Sequence, residues 1–316
     1  MNRNTVNLAL VTALLLFPAA NQAAHATISH TWVASTGSDA NACTRSAPCA
    51  TFAGALAKTS AGGEIDVADA GDYGSVTISQ SVSIEAVGVL ATIQVTSGNA
   101  ITVSAGANDI VVLRGLTLEG LGTATNGVSF STGGSLYVEN CRINSFSTFG
   151  INFAPTATSK LFVTDTITRN NGSGSTGCGV YIQAGSQGFA TVSIDGLRTE
   201  NNVCGVKSVD AVNATIRNSV AANNGFSGFS AAESGNRPVV LIENSLSAHN
   251  GTNGVLSAVL NPPQFIVPTI RLSNVTITDN ATGLGTSNGG QIISFGNNKN
   301  DGNSTNGAPT STVSQQ

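Results

Sequence analysis

Charge is what this 316-residue chain has least of: Asp, Glu, Lys and Arg make up 9% of it, far below the usual quarter of a globular protein. There are 13 cations against 17 acids, a formal net charge of −4, and no basic patch is visible along the chain. That balance excludes a polyphosphate partner, so no nucleic acid is expected to bind. Histidine is nearly as scarce. Beyond the first residues only His30 and His249 remain, and Cys-x-x-Cys is absent, so no metal of the zinc kind is expected. After Phe17 no stretch approaches about 18 uninterrupted apolar residues, which excludes a membrane span in the body of the chain.

The exception is the beginning. MNRNTVNLALVTALLLFPAANQAAHA carries one cation (Arg3), an apolar run from Leu8 to Phe17, and Ala24-His25-Ala26 as a small-x-small cleavage site. This predicts a signal peptide over 1–26, too short in its apolar run to span a bilayer. The mature chain is then exported, secreted or held in the periplasm or cell envelope. Five cysteines in such a chain favour disulfides.

What is abundant is Gly (36 residues), with Asn, Ser and Thr. That composition alone fits disorder, but regular Val, Ile and Leu positions supply core material throughout. SLYVENCRIN, KLFVTDTIT, TVSIDGLRT, ATIRNSVAA, VLIENSLSA and IRLSNVTIT line up, anchored on Leu113, Val138, Val163, Ile194, Ile216, Ile242 and Leu272 at 22 to 31 residues apart. Each leads to an Asn-rich turn (Asn170-Asn171, Asn201-Asn202, Asn223-Asn224, Asn250, Asn280). A strand opened by Gly follows, as in NGVSF, FGINF, CGVYI, CGVKS, SGFSA, NGVLS and TGLGT. The Leu spacing is wrong for leucine-rich repeats and no helix recurs. The pattern predicts an all-β, right-handed parallel β-helix of about eight coils stacked about 4.8 Å apart.

Alternation puts Leu136 and Val138, Val192 and Ile194, or Val240 and Ile242 inside, with Glu139, Asp195 and Glu243 outside. Asn suits the turns because it tolerates a left-handed backbone, and stacked Asn form ladders. The expected division is a signal peptide over 1–26, an N-terminal cap over 27–80, the β-helix over 81–296 and a polar mobile tail over 297–316. In the cap, PCATFAGALAKTS (Pro48 to Ser60) is the one good helical segment, with Phe52, Ala55 and Leu56 on one face and Pro48 suited to its start. It is predicted to lie across the first coil and blunt the open end.

Cys43 and Cys49 bracket the loop TRSAP and suit a local bridge. The alignment of CGVYI over CGVKS puts Cys178 and Cys204 at one position on successive coils, at a separation of about 4.8 Å that a disulfide bridges. The alternative is a pair of reduced, buried thiols. Both are read as inward, and Cys141 remains unpaired as a small buried hydrophobe. Arg169, one coil before Glu200, is expected to face it.

The block TWVASTGSDANACTRSAPCATFAGALAKTS, the coils after it and the ending ISFGNNKNDGN resemble bacterial right-handed parallel β-helix repeat proteins of the pectin-lyase-like superfamily. The resemblance covers essentially the whole mature chain. It implies the fold, whereas the superfamily holds lyases, hydrolases and epimerases as well as adhesins and phage spikes, so no single activity follows. A polygalacturonase-like hydrolase would need clustered Asp and a Gly-His-Gly setting, and the chain has neither. Calcium-dependent lyases of the superfamily use a carboxylate cluster for the metal and a cation as base. Here the acids come mostly one per coil: Glu139, Asp165, Asp195, Glu243 and Asp279.

Three groups of residues remain as candidates. The outward column Arg114, Glu139, Thr164, Asp195, Arg217, Glu243 and Ser273 reads as cross-strand ion pairs or, alternatively, as part of a substrate cleft. EIDVADAGDYG gathers Glu64, Asp66, Asp69 and Asp72, which would hold calcium if they converged; alternation more simply leaves Glu64 and Asp66 on a solvent face and the other two in a turn. The outward positions of the Gly-led strands are Ser129, Asn152, Tyr181, Lys207, Ser230 and Leu256. There Tyr181 offers a ring to a sugar, Asn152 and Lys207 flank it, and Lys207 can meet a uronate; the other reading is an ordinary exposed face. The missing acid/base clusters favour a non-catalytic scaffold that binds glycan or a partner. The alternative is a lyase or hydrolase of an acidic polysaccharide, and the sequence leaves open whether the chain is an enzyme.

Overall fold

The computed structural model describes residues 27–262 and 266–314; the signal peptide expected over 1–26 lies outside them. Three parallel sheets run along the molecule. The long sheet has twelve strands, from Ile28–Val33 to Ser311–Thr312. The Gly-led sheet has nine, from Val76–Ile78 to Thr282–Ser287, and the short sheet ten, from Gly71–Asp72 to Lys299–Asn300. Each turn of chain supplies one strand to each sheet, so the molecule is a parallel β-helix of nine full turns.

The anchor residues stack as their spacing requires. Ile65, Ile84, Leu113, Val138, Val163, Ile194, Ile216, Ile242 and Leu272 are successive register partners, and all are buried. Each such side chain taken from water contributes about 1.5–3 kcal/mol, which is how a chain with little charge holds itself together. The solenoid begins earlier than expected: Ile28–Val33 and Thr59–Val67 already pair in parallel at the head of the long sheet. The capping helix is shorter, Phe52–Leu56. Thr51, not Pro48, starts it, accepting from the Gly54 amide at 2.9 Å. Phe52 and Ala55 are buried on its inner side, and Phe52 packs on Tyr73.

The other end also differs. The polar segment expected to leave the rod continues it instead, because Lys299–Asn300 and Ser311–Thr312 pair with the preceding coil.

Two turns per coil close on a single left-handed residue. Gly115, Asn140, Asp165, Gly196, Asn218, Asn244 and Asn274 form one column, with φ from 47° to 72°. Ser145, Asn170, Asn201, Asn223, His249 and Asp279 form the other, with φ from 55° to 60°. Gly, Asn and Asp adopt this backbone at least cost. The Asn pairs thus divide their labour. The first residue turns the chain and the second points inward: Asn171, Asn202, Asn224, Asn250 and Asn280 are buried, each Nδ2 donating to the next Oδ1 at 2.9–3.2 Å. The ladder runs on through Asn303 and Asn306.

The packing around the ladder also accounts for the glycine that opens the following strands. A Cβ on Gly179 would lie 2.1 Å from Thr199 Oγ1, and one on Gly254 would lie 2.8 Å from Asn280 Nδ2. Room, not torsion, demands Gly here. Because that Gly and the Val or Ile after it both face inward, strict alternation fails at this point and the residue before the Gly faces out. Cys178 and Cys204 are therefore disulfide-bonded, with a Cα–Cα separation of 4.3 Å, on the outer flank, not in the core as alternation implied. Cys43–Cys49 is the second disulfide. Cys141 is a buried free thiol, pushed by burial up to about 12, and so inert.

Candidate functional site

The outward column of the Gly-led sheet is the predicted one: Ser129, Asn152, Tyr181, Lys207, Ser230 and Leu256 are successive register partners. A cleft of about 530 Å³ opens over four of these strands, between Cys178–Gln183 and Asn253–Val259. Its floor holds the Cys178–Cys204 disulfide, Tyr181, Lys207, Ser230 and Leu256. One end is walled by residues 175–177, part of a loop of which Gly172 and Gly177 adopt positive φ and Ser173 bridges Thr176. Phe226 and Leu260, both well exposed, stand on its rims.

The structure brings Tyr181 and Lys207 together side by side. Asn152 is Tyr181's register partner on the far side but does not line the cleft. Phe149 stacks on Tyr181 with centroids 4.5 Å apart, and the Tyr181 hydroxyl donates to Gln183 Oε1 at 2.7 Å. Burial, and then Asp210, raises the Tyr181 pKa. Among the described residues Lys207 is the one charged residue lining the cleft, and burial lowers its pKa below the ordinary lysine value. A partly dehydrated ammonium of this kind gains from meeting an anion. Phe226, Leu260 and the wall loop were missed from sequence because they sit on turns, outside any periodic position; Asn224-Gly225 before Phe226 was the one local signal of a turn there.

The cleft ends near a pair of acids that sequence reasoning also missed. Glu233, on the strand Phe229–Glu233, is fully buried, and among the described residues neither carboxyl oxygen has a partner. Burial, then Asp210, raises its pKa. Asp210 is itself held by the Ser234 amide at 2.7 Å and hydroxyl at 2.8 Å.

Among solved structures, pectate lyase Pel9A superposes with a TM-score of 0.63 at 17% identity, over 85% of this chain and 75% of that one. The fold is the pectin-lyase-like β-helix. DFA-IIIase from Arthrobacter chlorophenolicus A6, in complex with GF2, matches with a TM-score of only 0.29 at 14% identity, over 74% of this chain and 64% of that one. No protein-family profile and no curated protein matches the chain.

On this β-helix the other candidate groups are spoken for. In the long-sheet column, Arg114 bridges Glu85 and Glu139, both at 2.8 Å, and Arg217 pairs with Asp195 at 3.4 Å. The acids of EIDVADAGDYG separate. Asp69 accepts from the Ser35 amide at 2.7 Å and from the Tyr73 hydroxyl at 2.6 Å, and Asp72 accepts from the Gly74 and Gln94 amides. Glu64 and Asp66 meet His30 instead, with ligand atoms within 4.8 Å of one another. Two carboxylates and an imidazole supply fewer oxygens than a calcium shell takes. Arg169 and Glu200 are register partners as expected, but the Glu200 carboxylate pairs with Arg198 of its own strand.

Proposed function

We propose that this chain is an exported β-helix scaffold that binds an acidic, uronate-containing glycan without cleaving it, in the cleft over the Gly-led sheet. Lys207 meets a carboxylate of the sugar, and the Tyr181–Phe149 stack lies beside the apolar face of a ring. The observation that carries this is a cleft of about 530 Å³ in which, among the described residues, one partly dehydrated cation and no carboxylate line the wall. A cleft of that size suits a small oligosaccharide. Hydrolysis needs a pair of carboxyl groups flanking the bond, and among the described residues none lines the cleft. Elimination needs one group to remove a proton and another to neutralise the uronate, and one lysine fills one of those roles. The two disulfides fit an oxidising compartment, and no helix among the described residues is long and apolar enough to cross a membrane.

The fold shared with a pectate lyase, together with a lysine shifted toward the pKa of a base, supports an acidic-polysaccharide lyase as the second reading. Oligogalacturonate and oligoalginate titrated into the protein by calorimetry decide between the two. Binding without unsaturated products, weakened about tenfold by Lys207→Ala, is the expected result. Turnover to unsaturated uronates that disappears in Lys207→Ala would replace it with the lyase.

A further inference from the structure

A second groove, of about 510 Å³, follows the turn between the long and short sheets. One wall is the loop over residues 86–90, which joins Val82–Glu85 to Ala91–Gln94 where the next coil needs only Gly115. Leu90 stands largely exposed on it. Arg142, Asn144 and Arg169 form the facing wall, with Thr117 and Asn140 between. Arg142 pairs in register with Thr117 and Ile167, and Arg169 with Asn144. One strand and two residues thus separate the arginines, about 8 Å between Cα atoms.

Neither guanidinium has an ion pair among the described residues. Glu200, the register partner of Arg169, is taken by Arg198. Glu119, the one carboxylate lining the groove, accepts from Asn144 Nδ2 at 2.7 Å. In a chain this short of charge, two unpaired planar cations facing one groove stand apart from the neutralised Arg114 and Arg217 of the long sheet.

We propose that this groove is a second glycan site, which holds a linear acidic polysaccharide with each guanidinium gripping one of its carboxylate or sulfate groups. The Asn140 amide and the Thr117 hydroxyl suit sugar hydroxyls, and Leu90 offers an apolar contact to a ring face. A nucleic acid fits less well, because no aromatic side chain lines the groove for a base to stack on. The site shares no residue with the cleft at Lys207 and stands whether or not that cleft binds sugar.

The test is a fluorescence-anisotropy titration of a labelled oligogalacturonate at low salt into the mature protein, in a Lys207→Ala background that silences the cleft. Arg142→Ala/Arg169→Ala should weaken binding about tenfold, the effect expected of two exposed charge pairs. The Lys/Lys double variant should fall between, and Glu119→Gln should tighten binding. Unchanged binding in the double alanine variant would overturn the proposal. So would equal affinity for a neutral oligosaccharide of the same length, or single-stranded DNA that competes as well as the oligouronate. Complete loss of binding in Lys207→Ala alone would overturn it too, because the groove shares no residue with the cleft; a partial loss there is the cleft's share and is expected.

Discussion

A carboxyl group sealed from water with no partner is a liability of known sign, and Glu233 is one among the described residues. Its folded pKa is raised, chiefly by burial, above the ordinary value of 4.5. The folded state therefore holds the proton more tightly than the unfolded state does. Stability from this group is fully present below the ordinary glutamate value and is lost as pH rises through the raised one. Glu233→Met removes the titration while keeping the side-chain length. It should leave acid stability nearly unchanged and raise neutral stability by about 1–3 kcal/mol, the penalty of an unsatisfied buried polar group. Urea unfolding on both sides of the transition checks this, and a variant no more stable than wild type at neutral pH would refute it.

At the scale of an element, the Gly-led strand shows what was and was not legible in the sequence. Tyr181 and Lys207 fell on one face because the residues after the Gly-Val pair alternate normally. Cys178 and Cys204 were stacked correctly but faced wrongly, because no periodicity reveals that Gly179 and Gly205 leave room for the Thr199 side chain, the Gly228 carbonyl and the asparagines beside them. The capping helix was overextended at its end because the good formers Ala57 and Lys58 follow Leu56, where the chain already turns into Thr59–Val67 to pair with Ile28–Val33.

The disulfide itself spans a sequence separation of 26, one full coil. Cys178→Ala/Cys204→Ala should lower stability by about 3 kcal/mol, the usual worth of closing a loop of this size. In reductant, which also opens Cys43–Cys49, wild type and this variant should reach the same denaturation midpoint. No change in either would mean that the stacked coils hold this position without the bond.

At the scale of the whole molecule, each coil is held by its neighbours, so the ends decide much of the stability. The last turn supplies Asn303, which accepts at Oδ1 from both the backbone amide and the Nδ2 of Asn280, at 3.0 and 2.8 Å. Deleting residues 298–316 removes both bonds, at about 1 kcal/mol each, and uncovers strand edges. The shortened protein should unfold at lower temperature and associate with rising concentration in size-exclusion chromatography; a monomer of unchanged midpoint would show this turn to be dispensable. The repeat itself was legible because one apolar column recurs through every coil. The grooves were not, since they form where loops of unequal length depart from the repeat.

From Asn171 to Asn306 seven carboxamides are joined head to tail, all donating in the same sense. Their dipoles add along the axis, as peptide dipoles add along a helix, and each amide polarises the next. The rod therefore has an electrical direction that its formal charges do not reveal. Its positive pole lies in the last turn, where the free Nδ2 of Asn306 donates to Asp301 Oδ1 at 3.2 Å, so that an anion closes the series at the end where one is most stabilising.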